Sequence, residues 1–236
     1  MINRSRSMKK IFPAFGAALV ASLVLSGLVA GSALALSYVP ASGTFPANNT
    51  ISGNGPVLEV AGETYRKVNC EKYAGTIVFQ SGTTGTADIA FTGCRAPNLG
   101  VGGSICTTAG SPSGTIRTKI LTVRPAYLNA EKTKYGVEMQ GAGGGLDPFK
   151  DPAGTVATFA CGVGGSVRTL SGVITVQIEN PLNVETKSFS GFVNEATQKA
   201  GGGIYHIGLY DGGKVVTPTA SWGMSAVGGS LAKFVP

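Results

Sequence analysis

Apolar and polar residues alternate with a period of two over much of this chain. In Thr86–Thr92, Ala87, Ile89 and Phe91 share one face and Asp88, Ala90 and Thr92 the other. That is the pattern of a half-buried strand. Ile116, Thr118 and Ile120 repeat it, with Arg117 and Lys119 on the opposite face. Further short runs read as strands: Val57–Ala61, Thr64–Cys70, Gly75–Gln80, Tyr135–Gln140, Thr155–Cys161, Thr186–Val193, Ile204–Tyr210, Lys214–Thr217 and Ser221–Val227. The longest is Ser166–Ile178, where Gly172 marks a bulge or bend. Turn-rich links such as Ser81-Gly82-Thr83-Thr84-Gly85 separate the runs. Asn194–Lys199 has the polarity of one helical turn. About ten to twelve short strands at this spacing predict an all-β fold, a β-sandwich or partly closed antiparallel barrel.

The first 35 residues follow another pattern. Arg4, Arg6, Lys9 and Lys10 precede an uncharged apolar run from Ile11 to Ala30, and Ala33-Leu34-Ala35 supplies small residues at the end. This is the layout of a secretory signal peptide. We expect 1–35 to be removed, 36–56 to form an extended leader, and 57–236 to form one β domain. The product is expected to be secreted, with no membrane segment after cleavage.

Removing the leader changes the charge argument. The net charge of +7 loses four cations and falls to about +3. No block of Lys or Arg remains, so nucleic-acid binding has little electrostatic basis.

Cys70, Cys94, Cys106 and Cys161 are the only cysteines. An even number in an exported chain predicts two disulfides. We expect Cys94–Cys106 across a Gly-rich loop, with Cys70–Cys161 tying an early strand to a late one. The competing pattern is Cys70–Cys94 with Cys106–Cys161. With no C-x-x-C and one histidine, His206, zinc is not expected. Asp147 and Asp151 are too sparse for a calcium loop.

No catalytic constellation emerges. There is no G-x-S-x-G and no H-E-x-x-H. The acidic residues are scattered singly, so nothing in the sequence selects a carboxylate pair. Catalytic, metal and cofactor sites are therefore all expected to be absent. Core packing is the expected role of Tyr205, Tyr210 and Trp222, with stacking on sugar rings as the alternative if they are exposed.

One stretch is distinctive. Phe91-Thr92-Gly93-Cys94, then Cys106-Thr107-Thr108-Ala109-Gly110 and Gly114-Thr115-Ile116-Arg117-Thr118-Lys119-Ile120-Leu121, are followed by Tyr127, Tyr135-Gly136-Val137 and Phe159-Ala160-Cys161. With Gly172-Val173-Ile174, Asn180-Pro181-Leu182-Asn183 and Gln198, this resembles an uncharacterised family of small secreted actinobacterial proteins. The resemblance spans about residues 40 to 200. It implies a secreted, disulfide-bearing β domain and carries over no catalytic residue. The function expected is a non-enzymatic binding or structural module, with cell-wall glycan or another extracellular polymer as partner. The alternative is a secreted polysaccharide hydrolase using a carboxylate pair.

Overall fold

The computed structural model describes residues 36–60, 63–99, 103–129, 131–141, 154–194, 209–211 and 214–236. The expected signal peptide lies outside them, and every strand belongs to the compact unit Ala35–Pro236.

After β1 (Ser37–Pro40), the chain builds a wall of antiparallel staves. It climbs through β2 (Ala47–Asn54) and β3 (Val57–Val60), then descends through β4 (Glu63–Asn69) and β5 (Lys72–Phe79). It climbs through β6 (Gly85–Thr92) and β7 (Arg95–Ala96). It descends through β8 (Ser104–Thr107), β9 (Ile116–Arg117) and β10 (Leu121–Tyr127), and climbs through β11 (Tyr135–Gln140) and β12 (Thr155–Cys161). β13 (Val167–Ile178) descends unbroken, β14 (Ser188–Val193) and β15 (Leu209–Asp211) climb, and β16 (Lys214–Ala226) descends unbroken. β17 (Ala232–Val235) ends the order.

Each stave pairs with its neighbours in sequence. β16 then pairs with β2 and β3 and closes the ring. Among the described residues this is an up-and-down barrel of eight staves. The all-β, antiparallel class is as expected, and opposed walls pack face to face as sandwich layers do.

Alternation decides which side faces in. Asn49 and Ile51 in β2 are buried, while Thr50 and Ser52 are exposed. Ile77, Val123, Val137, Val176 and Met224 join them inside. An eight-stranded barrel is just wide enough for side chains to fill it. Polar residues outside and apolar residues inside reverse the pattern of a membrane-spanning barrel.

Six staves are interrupted at one level. Hydrogen bonds mark it: Gly55 N to Glu71 O, Cys70 N to Pro56 O, Glu71 N to Thr92 O, and Cys94 N to Gly114 O. Gly172 stands at the same level in β13, where its N–H bonds Gly154 and its carbonyl accepts from Gly141. Its φ of 110° suits glycine alone, so the bend expected there is present.

The segment expected as a leader is extended but belongs to the barrel. β2 is paired on both sides, by β16 and β5. β1 pairs with β17 as a two-strand lid. Tyr38 and Phe234 from that lid meet Phe79, Phe189 and Tyr135. Tyr38 stacks on Phe79 at 4.2 Å, and Phe189 meets Phe234 edge-on at 5.1 Å. The Tyr38 hydroxyl donates to Asn49 Oδ1 at 2.8 Å, which satisfies a buried polar pair. Burial pushes the Tyr135 phenol up to about 12, and that hydroxyl donates to the Asn180 carbonyl.

The expected run Thr115–Val123 is two strands. Ile116 and Thr118 face in, but Ile120 is 57 % exposed and Leu121 and Val123 are buried. A break at Lys119–Ile120 moves the inward set from even to odd positions, because the period of two permits no other repair.

The lid yields a prediction. Phe234→Ala should cost about 3–5 kcal/mol in urea unfolding, since it empties the centre of the aromatic cluster. A loss under 1 kcal/mol would show that the lid is not part of the core.

Candidate functional site

On the first three staves only two residues separate the halves, but on the fourth the chain leaves the wall between β8 and β9. Thr108 N donates to Thr115 O at 2.9 Å, so residues 109–114 are pinched out as a loop. Two hydroxyls seal the gap left behind. Thr107 Oγ1 accepts from Gly114 N at 2.9 Å. Thr108 Oγ1 donates to Thr158 O at 2.9 Å and accepts from Arg117 N at 3.1 Å. Thr108 thus replaces a missing strand contact between β9 and β12. Gly110 turns the loop at φ 79°. The Cys-Thr-Thr-Ala-Gly motif therefore reads as scaffold.

The ejected loop forms one side of an open groove of about 1110 Å³ on the outer wall. Ala109, Gly110, Ser111 and Ser113 line that side. Gly162, Val163 and Val167, at the β12–β13 turn, line the other. Thr107, Thr158 and Ala160 form its floor, with Ile105, Arg117 and Lys119 also lining it. Ile105 is 40 % exposed and Val167 70 % exposed, so the walls offer apolar surface to solvent. Ala160 and Val167 are directly paired across β12 and β13 and therefore share the outward face.

Two cations give the groove its charge. Arg117 Nε and Nη2 bond Asp88 Oδ1 and Oδ2 at 3.2 and 2.5 Å. That two-point grip fixes the guanidinium plane, and hydrogen bonding and charge from Asp88 raise its pKa further. Lys119 is exposed and has no ion-pair partner among the described residues. The described lining contains no carboxylate.

Elsewhere the described carboxylates are mostly in ion pairs. Glu138 bonds Arg124 at 2.6 Å, and the buried Asp211 bonds Arg168 at 2.5 Å. Glu59 meets Lys67 at 3.4 Å and Glu185 meets Lys233 at 3.5 Å. Among the described residues no cluster of three or more His, Cys, Asp or Glu is placed to hold a metal.

Of the three aromatics weighed for stacking, the structure describes the side chain of Trp222 alone. Trp222 is 5 % exposed and lines an internal apolar cavity of about 40 Å³ with Tyr73, Met139 and Ile174. Its position in β16 points it inward, so it is core and not a sugar platform. Its Nε1 finds no partner among the described residues. Tyr210 lies in β15, and Tyr205 lies outside the described residues. His206, Asp147 and Asp151 also lie outside them, as do Glu195 to Lys199 of the expected helical turn.

All four cysteines are bonded, but in the competing pattern: Cys70–Cys94 and Cys106–Cys161. The expected pairs Cys94–Cys106 and Cys70–Cys161 are not formed. The stave order accounts for part of the difference. Cys70 and Cys94 sit on the second and third staves, 3.9 Å apart at Cα, and Cys106 faces Cys161 on the fourth and fifth, 4.0 Å apart. Cys70–Cys161 would have to cross the two staves between them.

Sequence reasoning flagged Arg117 and Lys119 only as a solvated face, and did not find the groove. The signal was the mismatch between the Ile116–Ile120 alternation and the Gly-rich spacing before it. Comparison of the chain with known protein families, with curated proteins and with solved structures yields no match.

Peptide mapping without reduction should recover Cys70 joined to Cys94 and Cys106 joined to Cys161. A peptide joining Cys94 to Cys106 would contradict this pairing, and one joining Cys70 to Cys161 would contradict the stave order as well.

Proposed function

We propose that this chain is an exported, non-enzymatic binding module, and that its ligand is an extracellular polymer held in the outer groove. The observation that carries the reading is the groove itself: open, about 1110 Å³ in volume, and lined by hydroxyls and aliphatic surface. Such a surface offers hydrogen bonds to a glycan's hydroxyls and flat contact to its C–H faces. The described lining is of hydroxyl, aliphatic and cationic residues, which supports binding over a carboxylate-pair hydrolysis.

Two buried disulfides support an oxidising compartment. The polar outer wall and the apolar leader at 1–35 support release outside the cell. Cell-wall association is part of this proposal. Thr107 to Gly110 and Arg117 to Lys119, which belong to the stretch that carries the resemblance, are part of the groove's lining.

Pull-down on insoluble cell-wall glycan and peptidoglycan tests it. The disulfide-bonded chain should be retained, and Ala160→Tyr, which fills the groove from its floor, should reduce retention about tenfold with unfolding unchanged. Equal retention of Ala160→Tyr would place binding elsewhere on the surface.

A further inference from the structure

The charges around the groove point to the kind of polymer. We propose that the ligand is an acidic glycan, bearing uronate or phosphate groups, and that Lys119 and Arg117 read its charge. This rests on the groove being the binding site.

The argument starts from the distribution of charge. Arg117 and Lys119 are the charged residues of the described lining and both are cationic; Asp88, which grips Arg117 from outside that lining, offsets one charge, so the net charge at the groove is that of Lys119. A groove for a neutral sugar has no need to exclude acids; one for an anion gains from it, since like charges nearby would oppose binding. The two cations stand two residues apart, so their Cα atoms are about 7 Å apart along the wall. They therefore address successive groups of an extended chain rather than one shared anion.

The two are also held differently. Arg117 uses Nε and Nη2 on Asp88, which leaves Nη1 with no bond to a described residue. Its plane is fixed before the ligand arrives, and the free edge can donate to an oxyanion without ordering a long side chain first. Lys119 is the compact, mobile charge with no partner among the described residues. Its backbone is anchored, because Lys119 N donates to Val156 O at 2.8 Å. Ser111 and Ser113 across the groove add hydroxyls, and Val163 and Val167 add apolar surface. The set suits a sugar chain whose acid groups face one side and whose C–H faces lie on the other.

The test measures binding of the disulfide-bonded chain to three soluble polymers of matched length: polygalacturonate, phosphorylated dextran and neutral dextran. Titration calorimetry is run at low salt and again at about 0.5 M salt. Either acidic polymer should bind at least tenfold tighter than dextran, and the gap should shrink at high salt as the charges are screened. The tighter acidic arm identifies the acid. Lys119→Glu should weaken that binding about tenfold or more, while Lys187→Glu, the same charge change on an exposed residue of the β13–β14 turn, should leave it unchanged. Dextran binding as tightly as the acidic polymers, or equal effects of the two charge reversals, would overturn the acidic ligand. The groove would still stand if Ala160→Tyr abolished dextran binding. No binding of any polymer or of cell-wall glycan would overturn both.

Discussion

Two strands run the full height of this barrel, and the rest of the wall takes its register from them. β13 pairs with β12 and β15 above the level of Gly172, and with β11 and β14 below it. β16 does the same with β15 and β3 above and β14 and β2 below. The other six staves break at that level, and each half reaches β13 or β16 directly or through intervening paired strands. Because a slip of one residue would turn every inward side chain outward, two unbroken strands are enough to fix the register of the halves. The breaks are then free to eject chain, as they do between Thr108 and Thr115. The groove is a consequence of that freedom.

The disulfides lie where the hydrogen-bonded wall is thinnest. β7 has two residues and meets β4 through the single pair Asn69 and Arg95. β8 has four residues and meets β12 at two positions. Cys70–Cys94 and Cys106–Cys161 tie the staves on either side of this weak arc. By loop-closure entropy, links spanning 24 and 55 residues contribute about 3 and about 4 kcal/mol, before any native strain is subtracted. They hold the wall beneath one side of the groove, so the site sits on a braced surface although few strand contacts surround it.

The strands were legible because their alternation is clean. Ala87 and Ile89 face in as the pattern implied, and Gly172 bends β13 where it was expected. Two other parts were hidden for physical reasons. β2 is poor in large apolar residues and rich in Asn, Ser and Gly, so it resembles a loop in sequence; its burial comes from Asn49 and Ile51, with β5 and β16 supplying the rest. The disulfide pattern depends on which staves are adjacent, and adjacency is not written in the spacing of cysteines. Trp222 left two readings open for a similar reason: an aromatic on a strand looks the same from either face until the register is known. The groove was least legible of all, since it depends on a loop whose two ends meet at Thr108 and Thr115.

The central claim is that β13 and β16 bind the upper and lower halves into one cooperative unit. Native-state hydrogen exchange across a series of denaturant concentrations tests this most directly. The account predicts that amides of Leu170 and Val216 in the upper half exchange with the same free energy as those of Val176 and Met224 in the lower half, equal to that of global unfolding. Upper-half amides that exchange through a separate opening, at a free energy well below the global value, would contradict it.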